Sequence, residues 1–332
     1  LISKGFKCLL VLDKRGFQYS KNFKGNVYII NSSHLSGNLI YKLKSLINLS
    51  ICFFKSLYLF INVKPNQCIS FGSYATFMPL LSITILKFFF NINIYLHEQN
   101  SVIGKVNLFF LKHSKYIFTN FEMLMNIKYQ YINKKIYVGL PSKQRVNINA
   151  SSSKKNIFVY GGSQGSIPLI NIFLKIIKKL DKKILNEVKI FVQSPNNTIN
   201  IVKKELFNLN INFEVKEFYL NIDEILSLTD IAITRAGSGT IDDLIRFKIP
   251  SIIFPLPHSI YNHQYYNAKY LSDKEASILV DEKNINIDKV ANDLKKLIID
   301  YNQNKKIKEK LNNIYMPNAN QLLLNKIFYE NK

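Results

Sequence analysis

Short apolar runs rich in β-branched residues alternate, along the whole chain, with longer stretches whose apolar positions recur at helical spacing. In the first half the runs predict strands at Lys7–Leu12, Asn26–Ile30, Gln67–Phe71, Asn93–Leu96, Tyr116–Thr119 and Lys135–Val138, with helices near 38–60, 74–90 and 103–113. The second half repeats the rhythm, with strands at Asn156–Tyr160, Val188–Gln193, Asn212–Lys216, Asp230–Thr234, Ser251–Phe254 and Ser277–Val280. Strands that alternate with helices connect by right-handed crossovers into parallel sheets covered on both faces. The two series meet at the polar stretch Val146–Lys155, so the pattern predicts an α/β protein of two doubly wound domains, with the ligand in the cleft between them. Ile2-Ser3-Lys4-Gly5 reads as the end of a helix with a glycine cap, so the sequence is expected to start in mid-fold.

Composition changes this picture in two places. The 332 residues carry 45 Lys and Arg against 22 Asp and Glu, a net charge of +23. Residues 1–150 hold 19 basic and 3 acidic residues, whereas the remainder holds 26 and 19. AT-rich codons account for part of the lysine excess, but both halves share those codons and only one is strongly basic. The asymmetry points to an anionic partner such as a nucleotide, a nucleic acid or an acidic membrane surface. Three cysteines without a C-x-x-C pair exclude a disulfide framework and a zinc finger, and fit a reducing compartment. The uncharged stretch between Lys64 and Lys87 is broken by Pro65, Gly72 and Pro79, so no membrane span is expected.

The chemistry concentrates in four blocks. Phe158-Val159-Tyr160-Gly161-Gly162-Ser163-Gln164-Gly165 is a strand running through a glycine turn into a helix, the wiring of a phosphate site or, equally, of a bare tight turn. No Gly-Lys-Ser/Thr follows, which excludes a Walker A loop, and the spacing misses G-x-G-x-x-G. Arg235-Ala236-Gly237-Ser238-Gly239-Thr240-Ile241-Asp242-Asp243 makes a second such turn, with two carboxylates early in the helix. They serve either the helix dipole or a ribose diol. Phe254-Pro255-Leu256-Pro257 leads into His263-Gln264 and Asn267-Ala268, a second wall of the same site. In the first half, His97-Glu98-Gln99-Asn100 places four polar side chains directly after an apolar strand, where open α/β sheets hold ligands.

In this order the blocks resemble the lipid-linked N-acetylglucosamine transferases of peptidoglycan synthesis, the MurG family. His97–Asn100 with Gly104 and Asn107 resembles that family's HEQN-x-x-x-G-x-x-N signature, and Gly161–Gly165 its GGSQG loop. Arg235–Thr240 resembles RSGA-x-T, and His263–Ala268 resembles HQ-x-x-NA. The resemblance covers nearly the whole chain. It implies the two-domain GT-B fold: an acceptor and membrane-facing domain over 1–143, a sugar-nucleotide domain over 144–317, and a last helix, 318–332, packing back on the first domain. The departures are specific. The family's leading strand and glycine loop, which bears a candidate catalytic His, have no counterpart here, so the chain as written is expected to be inactive or nearly so. Ser73 stands for a usual Gly, Lys143 for an Arg of the turn after Gly139, and Asp243 for a Glu. Lysine keeps the charge of arginine but loses its bidentate fork.

The resemblance implies inverting transfer of N-acetylglucosamine from its UDP donor to undecaprenyl-pyrophosphoryl-N-acetylmuramoyl-pentapeptide, lipid I, giving lipid II. It implies no cofactor and no metal, the glycine-loop N–H groups and helix ends stabilising the leaving diphosphate; no Asp-x-Asp pair occurs in the sequence. Contacts to the sugar nucleotide are implied for Asn100, Lys143, Gly162, Ser163, Gln164, Ser238, Gly239, Thr240, Ile241, Asp242, Asp243 and Gln264, with Tyr219 meeting uracil through its backbone. His97 and Glu98 are implied as catalytic, on the acceptor side with Gly72, Ser73, Tyr74 and Thr76. The lipid acceptor implies a peripheral enzyme on the cytoplasmic face of the bacterial inner membrane, drawn to anionic lipid by the basic first half. Phe53-Phe54-Lys55, Phe88-Phe89-Phe90 and Phe109-Phe110-Leu111-Lys112 are either an interfacial patch or core. Two other readings stand beside this one: a UDP-N-acetylglucosamine epimerase of similar architecture, and a basic nucleic-acid-binding protein. The second lacks any recognisable nucleic-acid module, so no nucleic-acid partner is expected.

Overall fold

The computed structural model describes residues 1–32, 38–141, 154–162 and 165–329. The chain divides into two compact units, Leu1–Pro141 with Pro317–Lys332, and Ser142–Met316.

The first unit opens on a 3₁₀ turn, Ile2–Lys4, ended by Gly5 in the left-handed region at φ 84°. Strands β1 (Leu9–Asp13) and β2 (Asn26–Ile30) pair in parallel as a two-stranded sheet. Helix α1 (Leu39–Val63) leads to β3 (Gln67–Ser70), α2 (Phe77–Leu86), β4 (Asn93–Glu98), α3 (Lys105–Phe110), β5 (Tyr116–Thr119) and β6 (Lys135–Tyr137). Strands β3 to β6 form a four-stranded parallel sheet in sequence order. Alternation splits β4 between two cores: Ile94 and Leu96 pack with Leu80, Ile83 and Phe110, while Tyr95 packs with Phe118 and Val138.

The second unit contains β7 (Lys155–Tyr160), α4 (Ile167–Ile177), α5 (Lys182–Asn186), β8 (Val188–Gln193), α6 (Ile199–Asn208), β9 (Asn212–Lys216) and α7 (Ile222–Leu228). It continues with β10 (Ile231–Thr234), α8 (Ser238–Phe247), β11 (Ser251–Ile253), α9 (His263–Ser272), β12 (Ile278–Leu279), α10 (Ile287–Ile299) and α11 (Tyr301–Asn313). All six strands are parallel, in the order β12-β11-β10-β7-β8-β9. The order reverses between β7 and β10, and the loops leaving their carboxyl ends part there, one over each half of the sheet. The chain then returns to the first unit as α12 (Ala319–Leu324) and a following π turn. Ile327 of that turn is buried against Tyr95, Phe118 and Val138, and Phe328 lies ring to ring with Phe6 at 4.0 Å.

The strands fall within two residues of the sequence expectation, with two informative differences. Strand β4 runs two residues further than its apolar stretch and takes in His97 and Glu98, which the pattern had put in the following loop. Helix α1 is, by length and composition, long and apolar enough to cross a membrane, although the sequence suggested no span, because Lys42, Lys44 and Lys55 interrupt its apolar run. Leu49, Cys52, Ser56 and Phe60 form its buried stripe, packed towards α2 with Ser82 Oγ donating to Phe53 O at 3.0 Å.

Candidate functional site

In the second unit, three loops gather at the carboxyl ends of the central strands. Strand β7 ends at Tyr160 and turns through Gly161 and Gly162, the latter at φ 86°. Gly161 has no room for a side chain: a Cβ there would lie 2.5 Å from that of Ser166. At Gly162 the same position is open. Ser166 caps α4, accepting the Leu169 N–H at 3.4 Å. Ser163, Gln164 and Lys143, all expected ligand contacts, lie outside the described residues.

Strand β10 ends at Thr234, whose hydroxyl donates to Tyr160 O at 2.8 Å and ties the two strand ends together. The next residue, Arg235, is 4% exposed; it donates to Ser166 Oγ and Phe254 O and pairs with Glu282. Helix α8 follows with Gly237 as its N-cap. Within the described residues, the main-chain N–H groups of Ser238, Gly239 and Thr240 have no acceptor, so this end offers three donors and a partial positive charge. Ile241 is different: its N–H is spent on Gly237 O at 3.0 Å and its side chain is buried. Asp242 is also buried and faces away from solvent, which leaves Asp243 as the accessible carboxylate of the pair. Burial pushes the Asp243 carboxyl above its ordinary range, opposed by Arg246, whose guanidinium donates to Asp243 Oδ1 at 2.6 Å and to Asp223 Oδ1 at 2.9 Å.

Gln264, near the start of α9, accepts N–H bonds from Leu256 at 3.0 Å and from Ala236 at 3.3 Å, both on Oε1. With the oxygen spent, its amide nitrogen is the group left to meet a ligand. The neighbouring Asn267 donates to Ala236 O at 3.1 Å, so α9 grips the β10–α8 turn at two points. The Tyr219 ring is buried edge-on to Phe158, and its hydroxyl donates to Glu214 O. Its main-chain N–H and C=O have no hydrogen-bond partner among the described residues.

In the first unit the HEQN block is a clamp. Glu98 is 4% exposed and its carboxylate accepts the Asn100 N–H at 3.1 Å, the Gly104 N–H at 2.8 Å and Asn107 Nδ2 at 2.8 Å. His97 is wholly buried, with Nε2 3.0 Å from Gly139 O and Nδ1 unpartnered. Burial pushes its pKa down to about 4, against a smaller upward pull from the Gly139 carbonyl, so the ring is neutral near pH 7. His97 and Glu98 are both inside the strand, and the Glu98 oxygens are already committed to four N–H groups including Asn100 Nδ2. Gly72, at φ 69°, sits against Asn107, whose amide fills the space a Cβ would need. After it, Ser73 is exposed and accepts the Thr76 hydroxyl on its carbonyl at 2.7 Å, while Tyr74 is half-buried.

Among the described residues no group of three or more His, Cys, Asp or Glu side chains is placed to hold a metal ion. Sequence reasoning passed over Ser166, Asp223, Arg246 and Glu282. Only Arg246, three residues after Asp243 on one helix, carried a readable signal.

Comparison with known proteins comes to one answer. The family description "Glycosyltransferase family 28 C-terminal domain" matches residues 156–322. A curated Rickettsia canadensis protein named UDP-N-acetylglucosamine–N-acetylmuramyl-(pentapeptide) pyrophosphoryl-undecaprenol N-acetylglucosamine transferase is 33% identical over 308 residues, covering 90% of this chain and 84% of the relative. One of the same name from Wolbachia pipientis subsp. Culex pipiens is 33% identical over 316 residues, covering 93% and 86%. Among solved structures, Acinetobacter baumannii MurG superposes with a TM-score of 0.77 at 21% identity, over 98% of this chain and 92% of the other. A Staphylococcus aureus MnaA–UDP structure superposes at 0.65 and 12% identity, over 98% and 97%. These structural likenesses establish the fold, two Rossmann-like units of the GT-B class.

Proposed function

The chain belongs to the UDP-N-acetylglucosamine–N-acetylmuramyl-(pentapeptide) pyrophosphoryl-undecaprenol N-acetylglucosamine transferases, and from that premise we propose that it moves N-acetylglucosamine from UDP-N-acetylglucosamine to lipid I, giving lipid II. It is a glycosyltransferase. The observation that carries the substrate reading is the 33% identity sustained over 90% of the chain with relatives bearing that name.

In this reading an acceptor sugar hydroxyl attacks the anomeric carbon as its bond to the diphosphate oxygen breaks. The hydroxyl proton passes to a base, UDP leaves with the bonding electrons, and configuration inverts. The second unit supplies the cradle. The free N–H groups of Ser238, Gly239 and Thr240, with the Gly161–Gly165 loop and its Ser163 and Gln164, meet the diphosphate. Asp243 accepts the ribose hydroxyls on the oxygen that Arg246 leaves open, Tyr219 pairs with uracil through its main chain, and the Gln264 amide nitrogen donates to a sugar oxygen. Lys143 and Asn100 complete the contacts to the sugar nucleotide. Gly72, Ser73, Tyr74 and Thr76 form the acceptor side, on a loop held by the Glu98–Asn107 clamp.

The same reading brings the protein to a membrane surface, peripherally, on the cytoplasmic face. The support is the outward side of α1, where Ile40, Leu43, Ile47, Ile51, Phe54, Tyr58 and Ile61 are all exposed, on a unit rich in lysine. Phe88, Phe89 and Phe109 add exposed rings, whereas Phe110 is core. The deciding experiment incubates the chain with UDP-N-acetylglucosamine and lipid I in anionic vesicles and follows both products. Matched release of UDP and appearance of lipid II is expected. Conversion of UDP-N-acetylglucosamine to a different UDP-sugar without lipid product would replace this reading with an epimerase.

A further inference from the structure

Arg235 stands at the carboxyl end of β10, facing the same loops as the proposed diphosphate cradle, yet its charge is turned inward. Nε and Nη2 both donate to Ser166 Oγ, at 3.2 and 3.1 Å, and Nη1 donates to Phe254 O at 3.1 Å and to Glu282 Oε1. The Arg235 side chain is 4% exposed and that of Glu282 is 11%. Glu282 comes from the 3₁₀ turn after β12, outside every motif the sequence displays. A guanidinium holds its donors in one rigid plane, so Arg235 fixes the segments of Ser166, Phe254 and Glu282 relative to its own.

The position held most tightly is Ser166. It caps α4, and the Gly161 backbone packs directly on it. Gly161 therefore rests on a residue whose hydroxyl is pinned by Arg235. The Phe254 carbonyl, held by the same guanidinium, begins the Pro255–Pro257 loop that leads to Gln264. An isolated buried cation would be drawn to the nearest anion, and a diphosphate in the cradle would be that anion. Glu282 satisfies the charge from behind and leaves the cradle's main-chain donors to the ligand.

We propose that Arg235 and Glu282 are a positioning pair: they do not touch the sugar nucleotide, but set Gly161 and the α4 N-terminus in the arrangement that binds its diphosphate. This rests on the reading that the second unit binds a UDP-sugar. Glu282 is thereby a determinant of the diphosphate subsite that no local pattern marks.

The test is calorimetric titration of UDP and of uridine into the full chain and into Arg235→Lys, Glu282→Gln and Ser166→Ala. Uridine lacks the diphosphate, so it reports the base and ribose contacts alone. UDP affinity is expected to fall by about tenfold in each variant, the size of one charge-assisted bond, with uridine unchanged within about twofold. Ser166→Ala leaves the ion pair whole and keeps the answer if Arg235→Lys fails to fold. Equal losses for UDP and uridine would reduce the pair to general stability, and unchanged UDP affinity would show that the diphosphate subsite does not depend on it. Tighter UDP binding in Glu282→Gln would make Arg235 a direct ligand restrained by its counter-ion; each of these three outcomes overturns the proposal. An unaltered chain that binds UDP no better than uridine would instead remove the UDP-sugar reading, and the positioning role with it.

Discussion

At the scale of single residues, the HEQN block shows how a signature can be visible while its surroundings are not. The spacing from His97 to Asn107 is plain in the sequence, and so is its position at a strand end. What spacing cannot show is that β4 continues through Glu98 and buries both ionisable groups. With four N–H partners, the Glu98 carboxylate shapes the 98–104 turn and aims α3. His97 makes a sharp prediction. Its pKa is about 4 when folded and about 6.5 in an unfolded chain, so the unfolded state takes up the proton first on acidification. The stability that neutral His97 contributes is complete above pH 6.5 and is lost as pH falls towards 4, amounting to about 3 kcal/mol over the window. Urea unfolding followed at pH 7, 6, 5 and 4 should show this loss, and His97→Gln should be less sensitive by that amount. Parallel pH profiles for the two chains would contradict a buried neutral ring.

At the scale of elements, most of the architecture was legible. Strands buried on both faces of a parallel sheet carry near-continuous apolar runs, and Ile157–Tyr160 of β7, Ile190–Val192 of β8 and Ile231–Ile233 of β10 are such runs, so their positions follow from composition. Helix α1 was legible as a helix but not as a surface. Its buried stripe at 49, 52, 56 and 60 and its exposed stripe at 40, 43, 47, 51, 54, 58 and 61 both follow helical spacing, and the exposed one is no less apolar than the buried one, which holds Ser56, so hydrophobicity could not tell inside from outside. The counter-ions were the least legible: Glu282 lies 47 residues from Arg235, and an ion pair at that range leaves no local pattern. For α1 the expected consequence concerns lipid. Replacing Ile47, Phe54 and Tyr58 together by Ser should weaken co-sedimentation with anionic vesicles by roughly 1–2 kcal/mol per residue, since each side chain would lose its transfer into the interface. Stability should change by no more than about 0.5 kcal/mol per site, because all three are already exposed. Undiminished sedimentation of the triple variant would mean that α1 faces something other than lipid.

At the scale of the whole molecule, the second unit is an insertion: both of its ends join the first unit, which is completed only by Pro317–Lys332. Ile327→Ala should therefore loosen residues more than two hundred positions earlier in the chain. A cost of about 2–4 kcal/mol is expected for a buried side chain of that size, felt in the first unit alone. Hydrogen exchange would read it as faster labelling of β4 and β5 with β7 and β10 unchanged; uniform acceleration across both units would refute the assignment. The insertion also sets a clock for synthesis. The sheet face of Tyr95, Phe118 and Val138 leaves the ribosome long before the segment that covers it, and the entire second unit is translated in between. At ordinary elongation speeds that interval is roughly ten to thirty seconds. For that time the nascent chain carries an uncovered aromatic surface, and the length of one unit fixes how long chaperones must attend the other.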